Sequence, residues 1–242
     1  AWVFDMNTVD NYDNNYQLDG GIDCYKVTNN TCYYKTYSNV FTVQSKPGVA
    51  SENLEAVSLS FTHASNVNYK IEIYTDLKNN NPYSGTKQET ATTEGTTDYE
   101  GLYTIPLNDT VKLKSGSSYS VVVTTDDYAL DCEQGISWAN GDVKVWDNNV
   151  SLNNGKSFYG TANNQWSWPN GNFCIKAFTT NNYAINYELD GGTNNDENPA
   201  SYTKSDASII LKEPVKEGYS FGGWYTDNTY TTKITEISEG ST

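Results

Sequence analysis

From residue 40 onward, apolar and polar positions alternate along short runs. In "EAVSLSFTHA", Val57, Leu59 and Phe61 alternate with Ser58, Ser60 and Thr62. "NYKIEIYTD" sets Ile71 and Ile73 against Lys70 and Glu72. The longer "GLYTIPLNDTVKLKSGSSYSVVVTTDD" supplies Ile105 and Leu107, then Val111 and Leu113, then Val121 and Val123. Successive side chains on a strand point to opposite faces, so a period of two marks half-buried strands. Asn, Gly, Pro, Asp and Ser bound each run, as turns between antiparallel strands require. Residues 75–101, rich in Thr, Asn and Gly, read as a long polar connection with two turn signals. Strands spaced in this way predict an all-β, two-sheet sandwich with loops gathered at its ends.

The pattern restarts after "CIKAFTTNN". Tyr183, Ile185 and Tyr187 share one face of "YAINYELDGG"; "LDGGTNND" reads as a turn, and "SIILKEP" and "GYSFGGWYTD" as further strands. A boundary near Asn182 gives three segments: 1–38 as a linker or junction with an upstream domain, 39–182 as the sandwich, and 183–242 as a second unit.

Composition narrows the function. With 242 residues the chain suits one large β domain or two domains, and charged residues make up only 19%. Few strong helix formers and abundant Tyr, Val, Thr and Ile agree with the all-β pattern. All 15 basic residues are Lys, and the net charge of −15 repels polyanions, which excludes a nucleic-acid partner. The same acidity fits a secreted or surface protein and leaves carboxylates for calcium. No run approaches the apolar length of a spanning helix, so no membrane insertion is expected, and a monomer is expected. "AWVFDMNTVD" lacks the features of a signal peptide and an initiator Met, so Ala1 is read as a cut from a longer chain.

Cys24, Cys32, Cys132 and Cys174 leave two readings open. One is a pair of disulfides, Cys24–Cys32 across a local turn and Cys132–Cys174 between distant strands; the other is four buried thiols. No C-x-x-C pair exists, and the single His63 cannot complete an ordinary zinc site.

Catalytic chemistry has little support. A cysteine nucleophile needs a His to take its proton, and His63 merely ends an alternating strand. A glycosidase needs two carboxylates, but the chain lacks the long loops that build a cleft. A non-catalytic protein is expected. Sugar binding pairs exposed Trp or Tyr with Asn, Asp and Gln, and residues 131–172 hold this mixture. Trp138, Trp146, Trp166 and Trp168 stand among Asn140, Asp142, Asn163, Asn164 and Gln165. Trp138, Trp166, Trp168, Asn163 and Gln165 are the candidate carbohydrate contacts, and Trp166 and Trp168 share a face if the stretch is extended. The alternative is that all four tryptophans pack between the sheets. For calcium, Asp10, Asp13 and Asp19 crowd one turn-rich stretch with Asn15 and Asp23, while Asp126, Asp127 and Asp131 form a second cluster. Solvated acidic loops are the alternative, and any ion is expected to be structural.

Two resemblances add to this reading. "YAINYELDGG", "EPVKEGYSFGGWYTD" and "ITEI" resemble the B-type (Listeria–Bacteroides) repeat of internalin-like and other Gram-positive surface proteins. That family implies a small β-grasp-like spacer or interaction module, in which Tyr219, Phe221 and Trp224 would form the core. The repeat's closing strand should follow "ITEISEGST", so the repeat reads as truncated. "ENLEAVSLSF", "YKIEIYTDL", "GKSFYG" and "NFCIKAFTT", in that order, resemble the lectin-like domain that follows the peptidase domain in secreted papain-type cysteine peptidases of clostridia. This implies a jelly-roll-like sandwich that binds carbohydrate or cell-wall polymer, often with calcium, in a secreted or cell-surface Gram-positive protein. The competing expectation is a structural spacer or adhesin-type protein-interaction module without a sugar site.

Overall fold

The computed structural model describes residues 11–20, 24–26, 35–134, 138–140, 143–146, 154–167 and 171–242; for 24–26, 134, 138–140 and 143–146 it describes the backbone alone. Contacts divide the chain into two compact units, 1–44 with 52–180 and 45–51 with 181–242. Among the described residues there is no α-helix, and none is long and apolar enough to cross a membrane.

In the first unit the strands run β1 (Asn14–Gln17), β2 (Cys24–Lys26), β3 (Thr36–Thr42), β4 (Val49–Phe61) and β5 (Val67–Thr75). They continue as β6 (Thr86–Lys87), β7 (Thr93–Thr97), β8 (Gly101–Lys114), β9 (Ser118–Thr125) and β10 (Asp131–Gln134). The last are β11 (Trp138–Asn140), β12 (Val143–Trp146), β13 (Ser157–Thr161), β14 (Asn164–Ser167), β15 (Gly171–Phe173) and β16 (Ile175–Ala184). One sheet has the order β14-β13-β3-β9-β5-β6, with β7 also on β5; another has the order β1-β16-β4-β8. A three-stranded sheet, β15-β10-β2, and the β11–β12 hairpin complete the set.

The alternating runs account for the core. Tyr37, Phe41, Ile71, Ile73, Tyr119, Val121 and Val123 come from the first sheet, and Leu54, Val57, Leu59, Phe61, Val111, Leu113 and Ile175 from the second; all pack into one buried cluster. Each such burial contributes about 1.5–3 kcal/mol. The polar partners are less exposed than a half-buried strand implies. Ser58 and Ser60 are buried, and so is the apolar Val122. Val122 lies on the outer face of its strand, next to Ser120, whose hydroxyl donates to the carbonyl of Pro82 in the 76–85 loop.

Two polar segments join the sandwich. The Thr-rich stretch within the expected long connection forms β7, pairing Val67 with Thr97 through to Ile71 with Thr93. Within the expected junction 1–38, β1 lies against β16 in register from Asn14–Thr179 to Gln17–Lys176. Tyr16 anchors it: its hydroxyl donates to Glu52 at 2.9 Å and accepts from the backbone N–H of Gln44 at 3.0 Å. Thr179 donates to the same buried Glu52 at 2.6 Å. Burial raises the Tyr16 phenol well above its usual range, with the neighbouring Glu52 adding to the effect.

Asn39 ties the sheets together. From β3 its amide donates to the carbonyls of Phe173 at 2.9 Å and Ile175 at 3.3 Å. Its side-chain oxygen accepts from the Ser157 hydroxyl at 2.8 Å.

Of the two cysteine readings, the disulfide between Cys132 and Cys174 is the one the structure departs from. Cys132 stands opposite Phe173, and the Cys174 N–H donates to the carbonyl of Asp131. Cys174 is therefore one residue out of register with Cys132 and on the other face of the pleat. Both are buried, and the candidate Cys132–Cys174 bridge is not formed. Cys32 and the Cys24 side chain lie outside the described residues.

The second unit is built from short ladders. β17 (Ser201–Tyr202) pairs with the end of β16, β18 (Ile209–Ile210) pairs with β21 (Glu236–Ile237), and β19 (Trp224–Tyr225) pairs with β20 (Lys233–Ile234). Trp224 contacts Phe221 at 5.2 Å and Tyr187 at 5.3 Å. Tyr219 does not join them: it is 72% exposed, with the Lys216 ammonium 4.4 Å above its ring. An ammonium over an aromatic face makes a cation–π contact at the surface, which corrects the expectation of a core Tyr219. Asp227 organises the 227–232 turn, accepting from the backbone N–H of Thr231 and Thr232. Hydrogen bonds from the Thr229 hydroxyl, then from those two amides, hold its carboxyl well below the usual range.

Asn39→Ala is expected to destabilise the first unit by about 2–4 kcal/mol, because it leaves buried groups unpaired; urea unfolding measures it. Asp227 has a depressed folded-state value, so its contribution is present above the ordinary aspartate range and is lost as pH falls through the depressed value. The Thr231 and Thr232 amides should stay protected from exchange at about pH 3 and lose protection in stronger acid.

Candidate functional site

The β13–β14 hairpin carries the aromatic candidate that the structure describes in full. Its register sets Tyr159 opposite Trp166, Gly160 opposite Gln165 and Thr161 opposite Asn164. Facing residues share a side of the sheet, so Tyr159 and Trp166 meet, with ring centroids 5.5 Å apart and 25° between planes. β14 is the outermost strand of its sheet among the described residues, and Trp166 is 43% exposed there. Tyr159 is packed against the core cluster, so the tryptophan rests on a supported ring.

Gly160 makes this hairpin possible. Its φ is +108°, and an added Cβ would stand 2.1 Å from the carbonyl oxygen of Asn164. Only glycine fits such a backbone and such an approach. The 76–85 loop fastens the strand at both ends. Tyr83 donates its hydroxyl to the Gly160 carbonyl at 2.8 Å, and the Asn80 amide donates to the carbonyl of Gly155. Lys156 returns a bond to the Asn80 side-chain oxygen at 3.0 Å. Burial, with Tyr74 and Glu72 nearby, raises the Tyr83 phenol well above its usual range, so it donates at every working pH.

The remaining sequence candidates divide. Asn163 is exposed in the turn of the hairpin. Gln165 belongs to the face opposite Trp166, since neighbours along a strand alternate; its buried Oε1 has no hydrogen-bond partner. The two are not one platform. The backbone of Trp138 pairs with that of Trp146, while its side chain, like the whole of Trp168, lies outside the described residues. Tyr159 and Tyr83 were missed from the sequence; period two in "SFYGTANNQWS" could have found Tyr159, but no local signal points to Tyr83.

The acidic candidates also separate. The Asp13 N–H donates to Thr179 at the start of the β1–β16 ladder, and Asp19 pairs with Lys176 near its other end at 3.2 Å. The chain between them is largely extended, so at about 3.3 Å per residue they stand roughly 15–20 Å apart. Asp10 lies outside the described residues. The residue after Asp19, Gly20, donates its N–H to the fully buried Glu133 at 2.7 Å. One oxygen of Asp19, Oδ1, is buried without a hydrogen-bond partner.

The second acidic cluster is likewise dispersed. Asp131 accepts from the hydroxyls of Ser60 at 2.7 Å and Thr62 at 2.6 Å, and contacts His63 Nδ1 at 3.0 Å. Asp126 accepts from Asn68, and Asp127 from the N–H of Tyr128. Among the described residues no three His, Cys, Asp or Glu side chains gather as a metal-binding group.

Comparison with known proteins follows the two units. Residues 183–242 match the Listeria-Bacteroides repeat domain. No curated protein matches the chain. A crystal structure of the cysteine protease and lectin-like domains of Cwp84, a surface layer associated protein of Clostridium difficile, matches at 22% identity with a TM-score of 0.46. That match covers 69% of this chain and 35% of the other, so this chain spans about a third of its length. Residues 15–179, more than half of the chain, match the family described as the lectin like domain. The chain belongs to the lectin-like domain family.

Proposed function

We propose that the sandwich is a non-catalytic carbohydrate- or cell-wall-polymer-binding module and that the repeat acts as its spacer. The observation that carries this reading is Trp166, half-exposed on an outer strand and stacked on Tyr159. A sugar ring offers an apolar C–H face that an indole covers, and a ring already held by a second aromatic loses little freedom when it binds. Membership of a lectin-like family supports the reading. The resemblance to peptidase-linked domains extends it to a module that targets a cysteine peptidase at the surface of a Gram-positive cell. The coding sequence upstream of Ala1 tests that part: a Cys/His/Asn peptidase domain supports it, and adhesin or leucine-rich sequence defeats it.

Calcium enters as a structural ion at Asp19, one of the three aspartates expected to bind it. The Asp19 carboxylate is buried and pairs with the Lys176 ammonium at 3.2 Å, and its Oδ1, buried without a hydrogen-bond partner, suits a hard cation.

In affinity electrophoresis against a panel of cell-wall and plant polysaccharides, Trp166→Ala should weaken retention about tenfold while remaining folded. Gln165→Ala, altered on the opposite face, should change it less than about twofold. Equal loss in both variants, or none in either, would remove Trp166 as the contact surface. Scanning calorimetry tests the ion: added calcium should raise the melting temperature of the wild type and leave that of Asp19→Asn unchanged, whereas a wild-type transition insensitive to calcium and to chelator would remove the ion.

A further inference from the structure

The charge distribution around Trp166 narrows the class of ligand. From Ser157 to Ile175 the chain has no Asp, Glu, Lys, Arg or His, whereas at the overall 19% this nineteen-residue run would hold about three or four charged groups. The lysines that flank this run, Lys156 and Lys176, and Lys35 nearby are turned to the protein's own oxygens, Lys176 to Asp19 at 3.2 Å. Lys156 bonds to Asn80 Oδ1, and Lys35, which precedes the strand beside the hairpin, bonds to the Asp126 carbonyl and covers the Tyr128 ring. On the same face as Trp166, the register places Tyr159, Thr161 and Asn164. These groups give an aromatic surface, a hydroxyl and an amide, and none of them carries a charge.

We infer that the Trp166 site takes neutral glycans and rejects anionic polymers such as polyuronates and teichoic-type phosphates. The inference rests on the carbohydrate-binding reading above. A polyanion meets no pairing cation among the hairpin's own residues, 157–167, and the −15 chain repels it within a Debye length of about 10 Å at 0.1 M salt. A neutral chain meets the same stacking surface and hydrogen-bonding groups without that opposition. Its binding therefore depends little on salt.

The test is affinity electrophoresis of the whole chain and of Trp166→Ala in neutral glucan, mannan and chitin fragments, and in polygalacturonate, at ~20 and ~500 mM NaCl. The expected result is retention by at least one neutral polymer, changing less than about twofold with salt and falling about tenfold in the variant, with no retention by polygalacturonate. Retention by polygalacturonate at low salt, released at high salt and lost in the variant, overturns the inference and leaves a sugar site at Trp166 standing. Equal retention of both polymer classes also overturns the inference alone. Retention by no polymer, or retention that the variant keeps, overturns the carbohydrate reading and the inference with it.

Discussion

Three hydrogen bonds from one buried amide set the geometry of the first unit. Asn39 on β3 reaches the carbonyls that flank Cys174, where the chain leaves the three-stranded sheet and enters β16. It also receives the hydroxyl of Ser157, the first residue of β13. A buried carboxamide tolerates few alternatives, because each unpaired polar atom would cost more than the bond contributes. Apolar packing drives the sheets together; Asn39 fixes their register where β13, and through it Trp166, begins.

The sandwich was legible wherever one face was apolar. Val57, Leu59, Phe61, Ile71 and Ile73 announce their strands by period two, and all are buried. The strand Thr93–Thr97 was not legible, because its Thr-Glu-Gly-Thr-Thr sequence has no apolar period and takes its place by pairing with β5. β1 was hidden for a related reason. Four polar and aromatic residues become a strand only when β16, some 160 positions later, supplies the partner.

The candidate site was legible in part, for reasons of geometry. Sequence proximity grouped Trp166 with Gln165, but adjacency along a strand separates side chains rather than gathering them. The same rule set Cys132 apart from Cys174, while the length of extended chain parted Asp13 from Asp19. Partners that matter arrive across the ladder or from distant loops, as Tyr159 reaches Trp166 and Tyr83 reaches Gly160. In the second unit, Phe221 and Trp224 touch but stay half-buried, while Tyr219 found a lysine at the surface.

The β1–β16 ladder also has a mechanical meaning. Asn14 and Thr179 face each other at one end of it, so the chain enters and leaves the ladder on the same side. A pull between these points loads the rungs one after another, as a zipper opens, and not all at once in shear. The first rungs to carry load adjoin Thr179, whose hydroxyl accepts from Asn14 and donates to the buried Glu52 that also holds Tyr16. Resistance to tension in this unit is therefore concentrated in a few buried polar contacts at the ladder's open end, with the apolar core behind them in reserve.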